Sequence, residues 1–182
     1  MSSAETVSLQ SIGEKHGTDK AVNHHFMDFY EKWFAPMKND KFNFLEIGYL
    51  LGQSARTWLE YFPNAQIYYI EKKLKKAIYH PRMHFARIDQ TDEGLSNLFP
   101  DDFFTVILDD GSHMTSAQQK AFSLLWPKLK TGGVYIIEDI NTSFRPRYID
   151  SEVTTYNAIK AMGGWKIFEQ NPDSMTALKV KE

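Results

Sequence analysis

The stretch VILDDGSH (residues 106–113) ends an apolar, strand-like run in two carboxylates, a glycine, a serine and a histidine. A second run, VYIIED (134–139), ends in Glu138 and Asp139. If the two runs lie side by side, Asp109, Asp110, Glu138 and Asp139 crowd up to four carboxylates into one small region. Like charges that close raise one another's pKa or take up a cation. Carboxylate oxygens together with water suit a hard divalent ion, Mg2+ or Mn2+. Strand alternation lets only some of the four face the same way, so Asp110, Glu138 and Asp139 are the expected ligands, with Asp109 on the side of a bound nucleoside. Taken singly, each acid reads equally as a helix cap or a solvated strand end.

His113 follows Asp110 across a Gly-Ser turn, so both side chains can address one substrate. An imidazole with an ordinary pKa of about 6.5 can take the proton of a metal-bound alcohol near neutral pH. The metal lowers the pKa of that hydroxyl and aligns its oxygen with an electrophilic carbon. This is the chemistry of methyl transfer to a poor nucleophile. A lone histidine ahead of a helix is otherwise a cap or a surface residue; its acidic company gives it a role.

A nucleoside has its own set of candidates. LEIGYLLGQS (45–54) places Glu46, Gly48 and Gly52 between a strand and a helix that begins near Ser54. Glycines there let backbone approach a ligand, and the helix start offers free amides. The pattern lacks the middle glycine of a dinucleotide loop, where Leu50 stands, and alone it reads equally as a tight turn. Glu71 ends the next strand, where a carboxylate accepts hydrogen bonds from ribose hydroxyls. The third strand leads to Asp89 and Gln90 beside an adenine edge, although Asp89 equally caps a helix starting near Asp92.

These residues need elements to hold them. Apolar, β-rich runs at 42–48, 66–71, 83–88, 103–110 and 134–139 are separated by stretches of helix length, among them SARTWLEYF (54–62) and AQQKAFSLLW (117–126), which have helical spacing. That alternation predicts βαβ units and a parallel sheet covered on both faces. Lys130, Thr131, Gly132 and Gly133 read as a turn into the fifth strand. WKIFEQ (165–170) and MTALKVK (175–181), split by Pro172 and Asp173, read as a hairpin. The sum is an α/β, Rossmann-like seven-stranded sheet, mostly parallel, with helices on both faces and a C-terminal antiparallel hairpin.

The chain of 182 residues carries 21 basic and 23 acidic side chains and is 42% hydrophobic, which suits one domain with a real core and gives no field favouring nucleic acid or a membrane surface. The absence of cysteine excludes disulfides, thiolate metal sites and a cysteine nucleophile. No signal-peptide pattern opens the sequence, and the expected location is the cytoplasm.

LEIG-x3-GQS, Glu71, DDGSH, LKTGG and IIEDINTSF follow the order found in class I S-adenosylmethionine-dependent methyltransferases. Together with IGEKHGTDK and HHFMDFY (24–30), they resemble the metal-dependent sugar O-methyltransferases of the mycinamicin and rhamnosyl-tetracenomycin type. The likeness runs from about Ile12 to Phe144. It implies S-adenosylmethionine on Gly48, Gly52 and Glu71, magnesium on Asp110, Glu138 and Asp139, His113 as general base, and a sugar or glycoside as acceptor. A catechol or phenol O-methyltransferase and a non-catalytic cofactor-binding scaffold are the alternatives. Residues 1–182 are expected as a single methyltransferase domain able to form a homo-oligomer, with 1–38 as a possible lid. Thr18, Asp19 and Lys20 of GTDK are expected either to form a lid whose hydroxyl and ammonium meet the methionine carboxylate of the cofactor or, through Thr18 and Asp19, to cap the FMDFYEKWF helix. Arg145, Arg147 and Tyr148 are placed to contact an acceptor.

Overall fold

The computed structural model describes residues 7–74 and 76–182; the first six residues and Lys75, one of a cluster of lysines, lie outside it. Three short helices open the described chain: α1 (Leu9–His16), α2 (Asp19–Val22) and α3 (Met27–Phe34). There follow β1 (Asn43–Ile47), α4 (Gln53–Tyr61), β2 (Gln66–Ile70), β3 (Met83–Ala86), α5 (Leu95–Leu98), β4 (Phe104–Asp109), α6 (Thr115–Leu125) and β5 (Leu129–Ile137). The chain ends in α7 (Thr155–Met162), β6 (Trp165–Asn171) and β7 (Ser174–Val180).

The seven strands form one sheet in the order β3-β2-β1-β4-β5-β7-β6. The first five are parallel; β7 runs antiparallel to β5 and pairs with β6 as the expected hairpin. Strand order reverses between β1 and β4, where an open α/β sheet leaves a crevice beyond its carboxyl ends. No helix among the described residues is long and apolar enough to cross a membrane.

Two expectations change. The LKTGG turn is the irregular first half of β5: Leu129 pairs with Phe104 and Val134 with Val106, so β5 advances five residues while β4 advances two. Gly132, with φ +78, absorbs the excursion, and its N–H donates to the Lys181 carbonyl at 2.7 Å. The described residues between β2 and β3 contain no helix. Pro81 and the like charges of Lys72, Lys73 and Lys76 oppose one.

Alternation along the strands sorts the core into two faces. Phe44, Val106, Leu108, Val134 and Ile136 lie with α1, α3 and α4 on one side, around Tyr30, Phe34, Trp58 and Phe62. Leu45, Ile47, Ile107, Tyr135 and Ile137 lie with α6 and α7 on the other. The same period assigns the strand-end acids. Glu46 continues the row of Phe44, Asp110 that of Leu108 and Glu138 that of Ile136, so all three turn to the face covered by the N-terminal helices. Asp109 continues the row of Ile107 and turns the other way.

Candidate active site

A cleft of about 630 Å3 opens at the carboxyl ends of β1, β2 and β4. Gly48 and Ser54 line it on one wall, Glu71, Asp89 and Gln90 on another, and Asp110 and His113 close its far end. Thr18 and Lys20 reach it from the N-terminal helices.

The glycine wall is built by necessity. Gly48 has φ +93, and a Cβ there would stand 2.2 Å from the Asp110 carbonyl oxygen. Gly52, at φ +77, is the left-handed cap ahead of α4. The Glu71 carboxylate is held at the mouth by the backbone N–H of Tyr49 at 3.1 Å and of Lys73 at 2.8 Å. Asp89 accepts from Thr91 N at 2.9 Å and pairs with Lys72 at 2.5 Å, and Lys72 and the Thr91 amide draw its pKa down to about 2. It therefore closes its own turn and does not cap α5. Gln90 bridges two motifs, accepting from Ser112 N at 2.8 Å and donating to Asp109 at 3.4 Å.

Glu46 and Asp109 lie beneath the cleft, both fully buried. Glu46 Oε2 accepts from Ser54 at 3.0 Å, from the Trp58 indole at 2.9 Å and from the Tyr69 hydroxyl. Burial raises the pKa of Glu46 against the opposing pull of Lys20. Burial likewise pushes Asp109 up to about 7, countered by a hydrogen bond from Gly111 N. One Asp109 oxygen has no protein partner.

The acidic end divides into two groups. Asp110, His113 and Asp139 each offer a ligand atom, all within 4.8 Å of one another. His113 Nε2 is 3.8 Å from Asp110 Oδ1 and 3.8 Å from Asp139 Oδ2. That spacing exceeds a hydrogen bond and leaves room between the atoms for an ion. Both His113 (φ 58) and Asp139 (φ 54) occupy the left-handed region, which costs a side-chain-bearing residue energy and is retained at functional sites. Burial raises the Asp139 pKa, with His113 opposing and Asp110 adding to the rise.

Glu138 is not brought into that cluster. It is 2% exposed and its oxygens are taken by Lys20 at 2.8 Å and by the Tyr30 hydroxyl. Burial and repulsion from Asp110 push its pKa well up, opposed by Lys20. Burial alone would push the Lys20 ammonium down, but Asp110, Glu138 and Glu46 hold it well above the ordinary lysine range. One ammonium thus faces two buried carboxylates, Glu46 and Glu138, and the part-exposed Asp110, with Asp139 alongside. The surplus negative charge and the open triangle of ligand atoms both fit a divalent cation.

Tyr30, Trp58 and Tyr69, which bind the buried carboxylates, escaped the sequence reading because aromatic residues at helical and strand spacing read as core. Thr18 and Asp19 start the separate helix α2, while α3 begins after Phe26 and lacks a side-chain cap. Arg145 pairs with Asp173 at 2.6 Å, and the Tyr148 ring stands edge-on to His113 at 6.4 Å.

No protein-family model matches the chain. A strand order with a terminal antiparallel hairpin and a nucleoside-sized crevice at the β1/β4 switch defines a class I methyltransferase fold, and solved structures agree. MycE methyltransferase of the mycinamycin biosynthetic pathway, in complex with Mg, S-adenosylhomocysteine and mycinamycin VI, superposes with a TM-score of 0.83 at 22% identity, covering 98% of this chain and 56% of that one. Sequence kinship is narrower. The chain is 32% identical over 149 residues to 8-demethyl-8-alpha-L-rhamnosyl tetracenomycin-C 2'-O-methyltransferase of Streptomyces olivaceus, covering 77% of this chain and 39% of that protein. It is 30% identical over 150 residues to mycinamicin VI 2''-O-methyltransferase of Micromonospora griseorubida, covering 77% and 38%. The chain therefore has the class I methyltransferase fold, and the curated proteins it is similar to in sequence are sugar O-methyltransferases. It spans about two fifths of the length of those relatives.

Proposed function

We propose that the protein is an S-adenosylmethionine-dependent, divalent-metal-dependent O-methyltransferase whose acceptor is a sugar hydroxyl of a glycoside. The observation that carries this reading is one cleft that runs from Gly48 and Glu71 to Asp110 and His113, where Asp139 adjoins those two in a triangle of ligand atoms. The sugar acceptor is suggested by the curated relatives, whose names specify O-methylation at the 2' position of a rhamnosyl tetracenomycin and at the 2'' position of mycinamicin VI.

When bound, the divalent ion acidifies and orients an acceptor hydroxyl, and S-adenosylmethionine supplies the electrophilic methyl group. Within the chain, Glu71 accepts hydrogen bonds from ribose hydroxyls, fixed for that task by the Tyr49 and Lys73 amides. Gly48 and Ser54 line the nucleoside side of the cleft, and Gly52 turns the chain into α4 behind them. Asp89 and Gln90 flank the base. Asp110 and Asp139 would hold the cation, with Glu138 as a buried counter-charge behind them. His113 Nε2 takes the hydroxyl proton as methyl transfer proceeds, because it faces the same point as both carboxylates.

Calorimetric titration with S-adenosylmethionine and S-adenosylhomocysteine, with and without Mg2+, on the wild type and on Asp110→Ala, tests the reading. Nucleoside binding that survives the substitution, with metal uptake that does not, supports two subsites and licenses an acceptor screen beginning with glycosides. Failure of both nucleosides to bind would overturn it.

A further inference from the structure

Lys20 reaches the acidic centre from α2, 90 residues before Asp110 and 118 before Glu138 in the chain. Its side chain is 1% exposed. The ammonium touches three carboxylates on three adjacent strands: both oxygens of Glu138 at 2.8 Å, Glu46 Oε1 at 3.3 Å, and Asp110 Oδ2. Its hydrogen bonds go to Glu138 and Asp110, and Glu46 Oε1 completes the surround as an ion-pair contact.

Each partner is itself held. Trp58, Tyr69 and Ser54 hold the other oxygen of Glu46, and Tyr30 holds Glu138. The position of Nζ is therefore fixed from two sides, and it determines the third contact. With Oδ2 of Asp110 engaged, Oδ1 is the oxygen turned to His113 and Asp139. Without that anchor, the Asp110 carboxylate is free to rotate at the end of its strand and to withdraw Oδ1 from the cluster.

We propose that Lys20 is the positioning residue of the metal centre: it holds Asp110 by Oδ2 so that Oδ1 is presented, with Asp139, to a divalent cation. It also couples the centre to the docking of the N-terminal helices. This role is the alternative to contact with the carboxylate of the cofactor, and it rests on the metal-dependent reading above.

The test measures Mn2+ affinity from the electron paramagnetic resonance signal of free Mn2+, and S-adenosylhomocysteine affinity by calorimetry, on the wild type, Lys20→Met, Glu46→Gln and the double variant Lys20→Met/Glu46→Gln. Absence of Mn2+ binding to the wild type would remove the metal-dependent reading, and this inference with it. Given wild-type binding, Lys20→Met is expected to weaken Mn2+ by about 10- to 100-fold, as loss of a residue that orients a ligand does, while nucleoside affinity holds. Should Lys20→Met fail to fold, the double variant, which loses one buried charge of each sign, compared with Glu46→Gln, carries the same expectation. Mn2+ affinity unchanged or tightened would overturn the inference. So would a loss of nucleoside affinity with Mn2+ binding intact, which would make Lys20 a cofactor ligand.

Discussion

Gly48 lies directly beneath the carbonyl of Asp110, so close that a Cβ on it would meet that oxygen at 2.2 Å. The two residues end neighbouring strands, and the Asp110 N–H donates to the Ile47 carbonyl at 3.1 Å. Gly48→Ala would combine this backbone clash with left-handed strain of about 1–3 kcal/mol. The expected result is a lower Tm together with weaker binding of both nucleoside and metal, because the same backbone shift moves Asp110. Thermal melts and calorimetry on the variant check it.

His113 separates two roles that its geometry allows, proton acceptor and metal ligand. His113→Gln is expected to lower kcat by about 100- to 10,000-fold while Mn2+ affinity stays within a few-fold of wild type. A collapse of metal affinity in this variant would instead make the imbidazole ring's role that of a ligand.

Removal of metal should divide the cleft. Chelation is expected to abolish turnover, and added Mg2+ or Mn2+ to restore it, while S-adenosylhomocysteine still binds, since Glu71 and Gly48 do not belong to the Asp110, His113, Asp139 cluster. Activity and calorimetric titrations before and after chelation read this directly.

Asp109 makes stability depend on pH. Its folded pKa of about 7 lies above the ordinary carboxylate value, so the folded state binds the proton more tightly than the unfolded chain. Its contribution is present below the unfolded pKa and is lost as pH rises toward 7. Asp109→Asn cannot ionise, so its stability relative to wild type should improve from pH 4 to pH 8. Denaturant unfolding of both proteins across that range measures the difference, and parallel curves would contradict it.

Tyr30→Phe takes one hydroxyl donor from buried Glu138. An unsatisfied buried acceptor costs about 1–3 kcal/mol, more when charged. A reduced unfolding free energy, with the nucleoside affinity unchanged, is the expected outcome.

Much of the site was legible because it sits at strand ends. The period of two marks which acids leave a strand on the same side, and DDGSH with IIED places them on strands that pair. The same period brings Glu46, Asp110 and Glu138 together on the face opposite Asp109. The missing β2–β3 helix was foreshadowed by Pro81 and the lysine run, whereas the irregular start of β5 depended on a pairing with the chain end at Lys181 that local sequence does not carry.

By itself, the sequence determined the strands, their alternation, the glycine turns and the stock of carboxylates, because these follow from local periodicity and backbone sterics. Only the tertiary structure decided how the acids share their oxygens. Lys20, Tyr30 and Trp58 reach Glu138 and Glu46 from helices packed over the sheet, and side-chain spacing along the chain holds no record of that meeting. Burial then turned four similar acids into different groups: Glu46 and Glu138 became partners of one ammonium, Asp110 a carboxylate divided between that ammonium and the cleft, and Asp139 a member of the open cluster. The physical reason is that charge in a low-dielectric interior is settled by whichever partner lies within about 3–4 Å, and such proximity is a property of the folded chain.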